Sequence, residues 1–143
     1  MARPKILLVE DNADVRRLYA IGLNQRGFEV KLAANGAEAV ERVVAERPDY
    51  ILLDWLMPLM DGSEVVERIG NSDDVAAIPI IVISGQPAPT ALPPRVRGWL
   101  TKPLTIDELV TELRHHPIAG HGDLSLAADG DRPGDQRRAA SGE

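Results

Sequence analysis

The chain has 143 residues, a net charge of −6, 44% hydrophobic and 27% charged residues, and no cysteine. That length suits one domain with a single hydrophobic core, and the acidic balance excludes a general nucleic-acid footprint. Without cysteine, disulfides and thiolate metal sites are excluded, which fits a reducing cytoplasm. The opening "MARPKILLVE" reaches an acid after four consecutive apolar residues. Such a run is too short for a signal peptide or a membrane span, so a soluble, cytoplasmic protein with no membrane contact is expected.

The first element is "ILLV" at 6–9, a run without polar alternation, as expected of a parallel strand covered on both faces. Asn12 is a plausible N-cap, and after it Val15, Leu18, Tyr19 and Gly22 recur at helical spacing. A weaker strand, "FEVKLA" at 28–33, fits an edge or near-edge position. The "NG" turn at 35–36 precedes a second stripe of Ala37, Val40 and Val44. "YILL" at 50–53 reads as another buried strand, followed by a helical stripe of Val65, Val66 and Ile69. "IPIIVI" at 78–83 is the third strong strand. After it, "GQPAPTALPPRVR" at 85–97 carries four prolines where a connecting helix is due. Each proline inside a helix costs about 3 kcal/mol, so at most a turn or two is expected there. "GWLT" at 98–101 is a second weak strand, and Ile106, Leu109, Val110 and Leu113 form the cleanest helical stripe. Alternating strand and helix predict a parallel α/β sheet with right-handed crossovers. Residues 117–143 show little apolar periodicity and read as a tail.

In such a sheet, ligands bind outside the carboxyl ends of the strands. Strand one ends in Glu10 and Asp11, strand three in Asp54, strand four in Ser84, and strand five leads into Lys102-Pro103. The carboxylate of Asp54 follows Ile51, Leu52 and Leu53, and a lone buried charge would be costly. At the mouth of a strand it escapes that cost. Three close carboxylates repel one another unless a cation joins them, and hard oxygen ligands suit Mg²⁺. One acid at a strand end is ordinarily a cap or a solvated turn. Four strand ends carrying complementary chemistry in order are a different matter.

"LLVEDN" at 7–12, "LLDWLMPLMDG" at 52–62, "ISG" at 83–85 and "TKP" at 101–103 resemble the receiver domain of two-component response regulators. The resemblance spans residues 3–116 and leaves 117–143 as a C-terminal tail. It implies a flavodoxin-like doubly wound sheet of five parallel strands in the order 2-1-3-4-5. The fourth of the family's five helices is reduced here. It implies Asp54 as the phospho-acceptor, and Glu10, Asp11, Asp54 and the backbone carbonyl of Leu56 as the Mg²⁺ ligands. It also implies Ser84 as the hydroxyl bonding the phosphoryl group, Lys102 as its cationic partner, and Ser84 with Trp99 as the conformational switch.

An aspartate can act as a nucleophile toward phosphorus, and phosphoryl transfer needs mainly positioning and charge neutralisation. The expected donor is a sensor histidine kinase or a histidine phosphotransfer protein. His115, His116 and His121 lie away from the strand ends and read as a solvated helix end and tail. The output partner is unspecified. A monomer or weak dimer is expected, with no direct DNA binding, since no DNA-binding domain follows the receiver. The expected role is signalling by protein contact rather than multiple-turnover catalysis. Two other readings are a Mg²⁺-dependent phosphatase with an aspartyl intermediate and a receiver-like module that is never phosphorylated. Such phosphatases commonly carry a second catalytic aspartate two residues after the nucleophile, where this chain has Leu56. The intact set Glu10, Asp11, Asp54, Ser84 and Lys102 argues against the second.

Overall fold

The computed structural model describes residues 3–57, 61–70 and 77–116. Five strands and four helices follow one another as β1 (Lys5–Val9), α1 (Ala13–Gln25), β2 (Glu29–Ala33), α2 (Gly36–Glu46), β3 (Tyr50–Asp54), α3 (Gly62–Gly70), β4 (Ile80–Ser84), β5 (Val96–Thr101) and α4 (Ile106–Arg114). All neighbouring strands pair in parallel, in the order β2-β1-β3-β4-β5, which is the expected flavodoxin-like order.

The uninterrupted apolar runs have the predicted cause. Ile6 and Leu8 face one side of the sheet with Tyr50, Leu52, Ile81 and Ile83, under Tyr19 and Leu23 of α1 and Leu109, Val110 and Leu113 of α4. Leu7 and Val9 face the other side with Ile51, Leu53, Ile80 and Val82, under Ala39 and Val43 of α2 and Val65, Val66 and Ile69 of α3. With both faces covered, successive residues of a central strand are all buried, so polar alternation disappears.

Capping explains where the helices begin. The Asn12 side chain accepts from the amides of Asp14 and Val15, both at 3.0 Å. Asn35 accepts from Glu38 N at 2.8 Å while Glu38 Oε1 accepts from Ala34 N at 2.6 Å. The "NG" pair is thus the N-cap and first residue of α2 rather than a free-standing turn. Thr105 and Glu108 form a reciprocal capping box on α4.

Two helical stripes differ from expectation. In α1 the buried pair is Tyr19 and Leu23, while Leu18 is 65% exposed. In α2 Ala39 and Val43 are buried, whereas Ala37 is exposed and Val44 is 60% exposed. The α2 helix is therefore turned by roughly one residue step, about 100°, from the face that its larger apolar side chains suggested. By contrast, α1 keeps Tyr19 inside and Val15 packed on the core, with Leu23 inside in place of Leu18. Packing on the sheet favours the small Ala39 beneath the helix axis and leaves Val44 outside. Gly22 makes a related close approach: a Cβ there would lie 2.5 Å from Ile106 Cγ1 of α4.

Strand limits also shift slightly. β4 runs to Ser84, and β5 begins two residues before "GWLT", at the buried Val96. A register irregularity between Ile80 and Ile81 leaves Arg97 without a partner across the ladder. Between β4 and β5 the described residues form only bends and turns, as the four prolines predicted. The tail expectation for 117–143 lies outside the described residues.

Candidate functional site

Three strands deliver the acids and the lysine to one edge. β1 ends at Val9, so Glu10 and Asp11 emerge at its carboxyl end; β3 ends in Asp54; β5 ends one residue before Lys102. Carboxylate oxygens of Glu10, Asp11 and Asp54 all lie within 4.8 Å of one another. Glu10 is 3% and Asp54 7% exposed, while Asp11 is open to solvent. Lys102 Nζ stands 3.3 Å from Glu10 Oε1 and 3.7 Å from Asp54 Oδ1. Asp54 is thus more enclosed than a strand-mouth position suggests, and the lysine beside it offsets part of the cost.

The surrounding backbone locks these side chains in place. Asn12 N donates to Glu10 Oε2 at 3.2 Å, so the residue that caps α1 also orients the first acid. Trp55 N donates to Ile83 O, and Lys102 N donates to Ser84 O at 2.7 Å, tying the ends of β3, β4 and β5 together. Ser84 is buried, and its Oγ accepts from Gln86 N at 3.0 Å. Leu56 leaves its side chain 55% exposed, two residues beyond Asp54. Trp99 Nε1 donates to Gln86 O at 3.0 Å, and its ring centroid lies 5.3 Å from that of Trp55 at a 55° tilt.

Electrostatics follows from this crowding. The Asp54 carboxyl is pushed up to about 7, first by burial and then by the neighbouring charge of Glu10, with Lys102 pulling the other way. Burial alone would pull the Lys102 ammonium down, but Asp54 and Glu10 outweigh it and hold the group above its usual value. A pocket with three acids and one ammonium remains short of positive charge. A divalent cation among the three carboxylates would relieve that shortage, and an all-oxygen donor set fits a hard ion.

Two neighbours escaped the sequence reading. Arg16 Nη1 donates to the Glu10 carbonyl at 2.7 Å, one turn into α1. Tyr19, assigned only to a core stripe, has its phenol raised chiefly by burial and is close enough to feel Lys102, Glu10 and Asp54. Their position four and seven residues after Asn12 was the available signal, since that helix starts at the site. His116 is a correction: it is half-buried and lies 2.9 Å from Glu112 Oε2, whereas His115 is exposed as expected. His121 lies outside the described residues.

A doubly wound five-stranded parallel sheet with acids and a lysine at its carboxyl edge is the architecture of a signalling receiver module. The chain belongs to the response regulator receiver domain family, whose profile matches residues 6–114. The transcriptional regulatory protein PrrA of Mycobacterium leprae is 36% identical over 121 residues, covering 80% of this chain and 50% of that protein. Response regulator MprA of Mycobacterium tuberculosis is 35% identical over 118 residues, covering 77% and 49%. The chain thus spans about half the length of the curated relatives it matches. Chemotaxis protein CheY4 of Vibrio cholerae superposes with a TM-score of 0.73 at 29% identity, over 81% of this chain and all of that one. The receiver domain of sensor histidine kinase PA1611 from Pseudomonas aeruginosa, solved with a magnesium ion coordinated in its active site cleft, gives a TM-score of 0.71 at 29% identity, over 80% and 98%. No helix among the described residues is long and apolar enough to cross a membrane.

Proposed function

We propose that this chain accepts a phosphoryl group on Asp54 and signals through the protein contacts that follow. The observation that carries the reading is the meeting of Glu10, Asp11 and Asp54 with Lys102 at 3.3 and 3.7 Å. Residues 3–116 form the receiver, and 117–143 act as a tail outside the chemistry. The donor is a histidine kinase or histidine phosphotransfer protein of the cytoplasm, and the output partner is another protein.

Glu10, Asp11, Asp54 and the carbonyl of Leu56 would hold Mg²⁺, which supplies positive charge to the phosphoryl oxygens and keeps Asp54 ionised. An Asp54 oxygen forms the new bond to phosphorus while the bond from phosphorus to the donor nitrogen breaks, and that electron pair leaves with the imidazole. Lys102 supplies a fixed positive charge beside the acceptor oxygen, where the transition state spreads negative charge. The Ser84 hydroxyl donates to a phosphoryl oxygen. Arg16 and Asn12 keep the Glu10 end of the pocket in place.

Acetyl phosphate with Mg²⁺ tests the reading. Intact mass should rise by one phosphoryl group, and Asp54→Asn should abolish the rise. Undiminished labelling of that variant, or labelling in EDTA, overturns it.

A further inference from the structure

We infer that Tyr19 is a positioning residue for Lys102, its neutral phenol oxygen holding the ammonium in place when the acids beside it bind a cation. The inference rests on the proposed role of Lys102 as the positive charge beside the acceptor. Tyr19 is 7% exposed, and its hydroxyl has no hydrogen-bond partner among the described residues. A phenol so enclosed ordinarily has one.

The placement of the ring follows from α1. That helix starts at the pocket, with Asn12 as its cap and Arg16 on the Glu10 carbonyl. Helical side chains lean toward the helix N-terminus, so a long ring at position 19 reaches back toward the acids. Leu100 and Leu104, two residues either side of Lys102, pack on the same cluster as Tyr19. The phenol lies within range of the charges of Lys102, Glu10 and Asp54, and Lys102 acts on it most strongly of the three.

That neighbourhood explains what an uncharged oxygen contributes. An ammonium has three N–H donors. Glu10 Oε1 at 3.3 Å and Asp54 Oδ1 at 3.7 Å occupy its acidic side. Both acids belong to the set that would hold Mg²⁺, and their pull on the lysine weakens once their charge is shared with a cation. A phenol oxygen keeps its pull under those conditions. Being neutral, it also leaves the charge of Lys102 uncancelled for the phosphoryl oxygens. A phenylalanine at 19 would keep the ring and lose this acceptor.

Tyr19→Phe tests the hydroxyl alone, in the wild-type and the Lys102→Met backgrounds, with acetyl phosphate and Mg²⁺. With Lys102 present, labelling at saturating Mg²⁺ should be about fivefold slower, the scale of one modest hydrogen bond. The Mg²⁺ concentration giving half-maximal labelling should stay within about twofold, since no proposed metal ligand changes. In the Lys102→Met background the same change should alter the rate less than about twofold, as expected when both residues act through one contact. In protein carrying Mg²⁺ and beryllofluoride, the NMR signal of the Lys102 ε-methylene should differ between wild type and Tyr19→Phe. That difference should be several times smaller in metal-free protein, whose thermal midpoint should stay within a few degrees. A full labelling rate for Tyr19→Phe overturns the inference. So does an equal loss in both backgrounds, which would make Tyr19 a general support of the pocket. A raised Mg²⁺ requirement with an unchanged saturating rate, an unmoved Lys102 signal or a collapsed metal-free midpoint each overturns it as well. Full-rate labelling of Lys102→Met removes the role of Lys102 itself, and with it this inference, while leaving Asp54 as acceptor.

Discussion

Lys102 Nζ lies 3.3 Å from Glu10 Oε1, nearer than its 3.7 Å to Asp54, so the lysine bridges the acid of one strand end to that of another. Removing it leaves two buried carboxylates side by side with no nearby ammonium. Lys102→Met should raise the Asp54 carboxyl further above its ordinary value, because the one favourable neighbour in its surroundings is gone. Labelling of Asp54 by acetyl phosphate should fall at least about tenfold, the scale seen when a charge-stabilising donor is lost. A labelling time course by intact mass checks this, and a rate within twofold of wild type would refute it.

The raised Asp54 value has a definite sign for stability. Its folded value, about 7, lies above the ordinary 3.8. Between these limits the folded state holds a proton that the unfolded chain has released. Stability from this group is therefore complete below the ordinary value and is lost as pH rises through about 7. In EDTA, Asp54→Asn should be more stable than wild type at pH 8 by a few kcal/mol at most, and the gain should shrink toward pH 4. Urea denaturation at both pH values reads the difference. A gain larger at low pH than at high pH would contradict the sign.

Gly62 starts α3 directly against an indole. A Cβ there would lie 2.3 Å from Trp55 Cε3, and Trp55 O accepts from Gly62 N at 2.8 Å. Gly62→Ala must displace the ring, and the ring in turn touches Trp99. Overpacking of this kind costs about 1–3 kcal/mol. The thermal midpoint should fall and tryptophan emission should shift; wild-type values for both would show that the indole yields freely.

The Tyr50 hydroxyl is 2.9 Å from Leu113 O and 2.8 Å from His116 O, tying the end of α4 to the first residue of β3. Truncation after His116 keeps both oxygens. The shortened chain should retain its thermal midpoint within a few degrees and its Asp54 labelling rate within twofold. A large loss of either would give residues 117–143 a part in the fold or the site.

Much of this was legible along the chain, for stated physical reasons. Parallel strands covered on both faces read as unbroken apolar runs, so "ILLV", "YILL" and the run ending in "IIVI" declared themselves. Their alternation with helices set which acids meet, since parallel strands bring their carboxyl ends to one edge. Prolines removed the helix between β4 and β5, because a ring nitrogen cannot donate to a helical ladder. What the tertiary structure alone decided was which face each helix buries. Apolar spacing left Leu18 and Val44 inside, but Leu23 takes the inner place in α1, and Ala39 with Val43 take it in α2. It also decided that Lys102 sits nearer Glu10 than Asp54, and that Trp99 bonds the Gln86 carbonyl. Those relations join residues 92 and 13 positions apart, across strands whose spacing and twist no local pattern encodes.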